Sequence, residues 1–197
     1  MCQFKSAIVL RDEKEKGGFR LIMSPWTESH SELCRIFKIK DGARLSFARV
    51  EFSPSDTAFA YNPETYTLRI DEERTPVWFD FEMKEKVSEK MRAYIKSIIV
   101  DGDVDLLIGG QFIIAPGAKI SCCHSMVLNA ICGGTISNIC GGTISDICGG
   151  TISNICGGTI SNICGGTISN ISKDFDKYGT IKKISSSANV KDNRNKK

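Results

Sequence analysis

Apolar and polar positions follow two different rules along this chain, and the change falls near residue 98. From Ile131 to Asn170 the sequence reads ICGGTISN, ICGGTISD, and then three further copies of ICGGTISN. In steps of eight, a weaker form of the frame extends back through CHSMVLNA, APGAKISC and LIGGQFII to IVDGDVDL, which begins at Ile99. Position six is apolar throughout, from Val104, Phe112, Ile120 and Leu128 to Ile136, Ile144, Ile152, Ile160 and Ile168. Position one is apolar as well, at Ile99, Leu107, Ala115, Cys123, Ile131, Ile139, Ile147, Ile155 and Ile163. Glycine holds position three or four in every octad except Cys123 to Ala130.

Apolar gaps that alternate between five and three residues fit neither a 3.6-residue helix nor a long strand. Two glycines per octad would cost a helix about 1 kcal/mol each, and they suit corners where φ turns positive. Thr-Ile-Ser favours a strand with Ile inward and the hydroxyls outward. Asn or Asp at position eight is expected to bond its own backbone at the next corner. One octad cannot bury its isoleucines alone, and stacking repeats buries them. The pattern predicts an all-β solenoid (β-helix) with two octads per coil, three per coil being the alternative.

Residues 1–97 predict a small α+β domain. Phe4 to Leu10 and Phe19 to Met23 read as strands around the polar loop Arg11 to Gly18. Thr27 or Ser29 can cap a helix with the apolar stripe Leu33, Ile36 and Phe37. Leu45 to Phe52, with Leu45, Phe47 and Val50 among its apolar positions, and Tyr66 to Ile70 read as further strands. Thr75-Pro76 marks a helix start, and a helix from about Pro76 to Ser97 would turn Phe79, Met83, Val87, Met91, Tyr94 and Ile98 inward. Because it runs into the first octad, this helix is expected to cap the open end of the solenoid. The organisation is then a domain over 1–97, octapeptide repeats over 98–172, and a C-terminal cap with a basic, disordered tail over 173–197.

Composition narrows the function classes. The chain has 197 residues, 41% hydrophobic and 25% charged, as in an ordinary soluble protein. A net charge of +3 does not by itself imply a nucleic-acid or membrane partner. No apolar run approaches the roughly 20 residues of a membrane helix, and Met1-Cys2-Gln3-Phe4-Lys5 lacks the layout of a signal peptide. The expected location is the cytoplasm. Of the nine cysteines, Cys132, Cys140, Cys148, Cys156 and Cys164 recur because the octad was copied, which predicts free thiols rather than a disulfide framework. Close Cys pairs of the zinc-site type are missing, and the adjacent Cys122, Cys123 and His124 cannot easily aim at one ion, so no metal or cofactor is expected.

Two resemblances bear on architecture and origin. The apolar-x-Gly register, as in Ile131-x-Gly133, resembles the needle region of contractile-tail spike proteins, where three chains intertwine. It implies an intertwined trimeric β-prism over Ile99 to Asn170 as the alternative fold. The opening MCQFKSAIVL, SHSEL at Ser29 to Leu33, ARVEFSP at Ala48 to Pro54 and LRIDEERTPVWF at Leu68 to Phe79 resemble a family from phages and prophages of gut bacteria. That family joins such an N-terminal domain to octapeptide repeats of varying number. The resemblance implies an architecture and a phage-related origin, and no activity.

Candidate chemistry is sparse. Cys2 would become an N-terminal nucleophile if Met1 were removed, but Gln3 follows it where amidotransferases place Gly, so the start of a strand is the expected role. His30, beside Glu28 and Glu32 with Cys34 near, suggests a base or ligand, yet a capping or solvated-face role is expected so close to a helix start. His124 is expected as a lateral side chain on the stack. Asp101, Asp103 and Asp105 alternate and could draw a calcium ion, but a charged edge that discourages end-on pairing is expected instead. Stacking places Thr135, Thr143, Thr151, Thr159 and Thr167 in regular rows, which form the candidate interaction surface. Ice-binding solenoids show Thr-x-Thr where this chain has Thr-x-Ser, and a DNA-mimic face would need more acid than Asp146 alone. The tail KDNRNKK has only four basic residues, too few to imply a nucleic-acid partner.

These readings point to a non-enzymatic protein-interaction protein of phage or prophage origin. Its rigid solenoid arm would bind a protein partner such as a host factor, including a defence protein. A virion or tail-associated structural protein, acting as a homo-oligomer, is the alternative.

Overall fold

The computed structural model describes residues 4–40, 46–172, 175 and 179–194. The chain forms two compact units, Met1–Ser55 with Asn62–Ser97, and Asp56–Tyr61 with Ile98–Lys197. Cys2 and Leu45, singled out from the sequence, lie outside the described residues.

In the first unit, strands β1 (Lys5–Arg11), β2 (Phe19–Ile22), β3 (Phe47–Pro54) and β4 (Tyr66–Ile70) form an antiparallel sheet in the order β2-β1-β3-β4. Alternation along β1 sends Lys5 and Ile8 to opposite faces. On the Ile8 side, helix α1 (His30–Ile36) packs Leu33 and Cys34 against Ile8, Ile22 and Phe47. Helix α2 (Phe81–Ile98) lies over the other face, where the Lys5 ammonium sits above the Tyr94 ring and the Arg92 guanidinium above Phe52.

Of the two expected caps Thr27 and Ser29, Ser29 caps α1, its Oγ accepting the Glu32 N–H at 3.3 Å. Other sequence expectations need correction in this unit. Of the proposed α1 stripe only Leu33 is buried, because the helix ends after two turns and leaves Ile36 and Phe37 about half exposed. Helix α2 begins at Phe81, not at Pro76. Pro76 instead opens a turn closed by the Phe79 N–H, and Asp80 caps the helix by accepting the Met83 N–H at 2.9 Å. The buried stripe of α2 is Val87, Met91, Ile95 and Ile98; Ile95 takes the place expected of Tyr94, which is half-buried.

The second unit contains the solenoid. Strands β6 (Asp103–Ile108), β8 (Lys119–His124), β10 (Thr135–Ile139), β12 (Thr151–Ile155), β14 (Thr167–Ile171) and β16 (Asn189–Asp192) form one parallel sheet. Strands β5 (Ile99–Val100), β7 (Gln111–Ile114), β9 (Val127–Ile131), β11 (Thr143–Ile147), β13 (Gly158–Ile163) and β15 (Gly179–Ile184) form the other. Thr135 pairs with Thr151 and Ile136 with Ile152, so a coil takes 16 residues, or two octads. Both isoleucines of each clean octad point inward and are fully or almost fully buried.

The corners explain the glycine pairs. Gly150 has φ +83°, and a Cβ there would lie 2.6 Å from the Gly133 carbonyl oxygen of the coil before it. The corner therefore needs glycine for its dihedral and for close coil-to-coil approach. The Thr151 N–H donates to Gly134 O at 2.9 Å, continuing the ladder around the bend. In the octad that lacks glycine, Ser125 takes the left-handed conformation itself, with φ +49°.

The weaker octads depart from the ideal frame. A bulge between Phe112 and Ile113 shifts the register, so Ile114, not Ala115, pairs with Ile131. Ile99 pairs with Ile113, and Val100 is the residue that packs on the solenoid core. Asn at position eight bonds the position-eight side chain of the neighbouring coil, Asn or, for Asn162, Asp146, rather than its own backbone. Asn154 donates to Asn138 at 3.2 Å, Asn170 to Asn154 at 3.1 Å, and Asn193 to Asn170 at 2.5 Å. The tail expected to be disordered from Lys191 instead contributes Lys191 and Asp192 to β16, and Arg194 pairs with Asp192. Phe175, just beyond the repeats, is fully buried in the same core.

Two outcomes follow from this packing. Ile152→Asp should destabilise the protein by several kcal/mol, because it buries a carboxylate where the isoleucine is 1% exposed. Thr151→Ala, on the exposed face, should cost less than about 0.5 kcal/mol. Equal melting temperatures for the two variants would refute the inward and outward assignment. Deleting Ile139 to Asn154, one complete coil, should leave a folded protein, whereas deleting a single octad moves every later strand to the opposite sheet. A single-octad deletion as stable as the double one would contradict the 16-residue coil.

Candidate functional site

The outer faces of the solenoid are set by the strand registers. Thr135, Thr151 and Thr167 form one row across β10, β12 and β14, extended by Lys119 and Asn189. Thr143 and Thr159 form a second row on the other sheet, between Val127 and Thr180. The five threonines are thus divided between two sheets. Thr135, Thr143 and Thr151 are exposed, and Thr159 and Thr167 are half-buried. Neighbouring hydroxyls in a row repeat at the strand spacing of about 4.8 Å.

The cysteines sit at the corners next to these rows. Burial pushes the Cys148 thiol up to about 12, with the Asp146 carboxylate and the thiols of Cys132 and Cys164 acting in the same direction. Burial likewise raises Cys123 to about 12 and moves Cys132 upward. Thiols held in this state are protonated near neutral pH and are poor nucleophiles. Cys122 and Cys140, by contrast, reach the surface, with their sulfurs 3.8 Å apart. They lie 18 residues apart, out of the 16-residue register that keeps stacked thiols parallel.

His124 is exposed on the side of the stack, as expected, and its Nδ1 lies 2.7 Å from Ser125 Oγ. Asp101, Asp103 and Asp105 are exposed too, and the last two belong to β6, the end strand of its sheet. That placement fits a charged edge that discourages further pairing.

The first unit holds a polar cluster that sequence reasoning missed. His30, expected on a solvated face, is 5% exposed. The start of α1 lies against β3, which puts its Nε2 3.0 Å from the Val50 carbonyl oxygen. Its Nδ1 lies 2.9 Å from Asp71 Oδ2, carried there because the Asp71 N–H continues the β3–β4 ladder to Arg49 O. Glu51 of β3 brings a second carboxylate close by. With the backbone on one ring nitrogen and a carboxylate on the other, the ring is held as a fixed strut, unlike a base with a nitrogen open to substrate. On the other face of the sheet, the buried Lys5 ammonium donates to Glu28 at 2.9 Å and to Ser24 O at 2.5 Å. Burial lowers the Lys5 pKa, and the Glu28 carboxylate partly restores it. Only the residue types around position 30 hinted at this cluster; Glu51 and Asp71 are brought in by the sheet.

Peptide mapping after mild oxidation with diamide should find Cys122–Cys140 as the first linkage, and replacing all five repeat cysteines by Ser or Ala should preserve partner binding. Stoichiometric Cys132–Cys148 linkage in protein purified without reductant, or a thiolate-bound metal on that column, would overturn the reading of inert corner thiols.

Among the described residues no helix is long and apolar enough to cross a membrane. Comparisons of the chain with protein-family models, with curated proteins and with solved structures find no match.

Proposed function

We propose that this chain is a non-enzymatic interaction protein of phage or prophage origin, whose β-solenoid acts as a rigid arm that binds a protein partner in the host cytoplasm. The observation that carries this reading is the pair of in-register threonine rows on the outer faces of a stack built from near-identical octads. A row of short β-branched hydroxyls on a ladder of parallel strands offers a flat, pre-organised surface, which loses little side-chain entropy on binding. Recently copied octads also let the arm change length by whole coils without disturbing what lies at either end. The raised thiols of Cys123, Cys132 and Cys148 support a structural use of the corners.

Between the two rows, Thr135–Thr151–Thr167 is the better candidate. Lys119 and Asn189 extend it with polar side chains, whereas Val127 interrupts the other. The sixteen-residue pairing within one chain favours an arm that needs no second copy, so sedimentation should give a monomer mass. Replacing Thr135, Thr151 and Thr167 together by Val, which keeps the β-branched shape and removes the hydroxyls, should leave the circular dichroism spectrum and melting temperature nearly unchanged. The same variant should lose the proteins that the wild type retains from host lysate, while the Thr143/Thr159 double replacement retains them. Retention by the triple variant would refute this face, and a trimer mass would favour the virion structural protein.

A further inference from the structure

We propose that His30, Asp71 and Glu51 form a binding site for one divalent transition-metal ion of the zinc and cobalt class. The argument starts from the His30 tautomer. Val50 O can only accept, so the 3.0 Å contact fixes the ring proton on Nε2. In the neutral ring Nδ1 then carries a lone pair, and it faces a carboxylate oxygen of Asp71 at 2.9 Å. Two lone-pair donors at that distance need a positive species between them, either a proton or a metal ion. A histidine that gives its outer N–H to a backbone carbonyl and turns its other nitrogen to carboxylates has the arrangement typical of a metal ligand.

The third donor decides between the two. The ligand atoms of His30, Asp71 and Glu51 all lie within 4.8 Å of one another. A proton shared by His30 and Asp71 gives Glu51 no role, whereas an ion with bonds of about 2.0–2.2 Å uses all three. The imidazole is buried at 5% exposure and fixed by the backbone, while Asp71 is half exposed. The rigid nitrogen therefore sets the position, and the two carboxylates close on the ion from the solvent side. One neutral imidazole and two carboxylates balance a divalent charge, and they leave a coordination position open to water, as in three-ligand sites.

Co2+ titration of the reduced full-length protein, followed by absorption and Zn2+ displacement, tests the site. The expected result is one Co2+ with nitrogen and oxygen ligands, no thiolate-to-cobalt charge-transfer band, and displacement by Zn2+. Asp71→Asn and Glu51→Gln should each weaken binding at least about tenfold. Their metal-free melting temperatures should stay near that of the wild type, since both carboxylates are partly exposed. Binding that both variants retain, a thiolate spectrum, or no bound cobalt would overturn the site and leave the His30–Asp71 contact as a structural pair.

Discussion

Each coil of the solenoid turns two pairs of isoleucines inward and leaves the N–H and C=O groups of both its strands open above and below. Only another coil in the same register can meet both needs. Ile136 on Ile152 and Thr135 on Thr151 are the same contact seen from the inside and the outside of the wall. A fully buried isoleucine contributes about 1.5–3 kcal/mol, and the parallel ladder satisfies the backbone as it forms. Everything else in this unit is subordinate to that stacking. The glycine corners exist because a Cβ there would strike a carbonyl of the coil before, as at Gly150, and half-buried asparagines bond one another from coil to coil.

Stacking also determines which chemistry the surface can display. Identical octads offer identical outward groups, so a coil can add to a row of threonines and cannot by itself gather an acid, a base and a nucleophile. The corner thiols follow the same logic. Their column is a by-product of copying, and burial keeps Cys132 and Cys148 protonated. Cys122 and Cys140 come together because Cys122 ends the octad APGAKISC, at the position where the copied octads place Asn or Asp.

The first unit is organised differently. Its sheet encloses charge as well as hydrocarbon, with Lys5 fully buried between Glu28, Ser24 O and the Tyr94 ring. A buried cation is tolerated only where its partners are in place, so this network holds the segment before α1 against β1. The same segment positions His30 against β3. The cluster of His30, Asp71 and Glu51 thus depends on three separate stretches of chain whose meeting no local pattern announces.

The repeat made much of the solenoid legible in advance. The spacing of Ile131, Ile136 and Ile139 assigned the inward positions, the glycine pairs marked the corners, and parity between octads implied two alternating walls. These are local properties multiplied by copying, which is why they survive without knowledge of the fold. Where copying is weak the sequence lost its hold. The bulge that brings Ile114 in place of Ala115 onto Ile131 depends on neighbouring coils, and so does the burial of Phe175. In the first unit, propensity located the strands and the Ser29 cap. Tertiary contacts decided that α2 begins after Asp80, that Ile95 rather than Tyr94 is fully buried, and that His30 is interior. A histidine between two glutamates reads as solvated until the sheet supplies Val50 O on one side and Asp71 on the other, and that juxtaposition is a property of the fold alone.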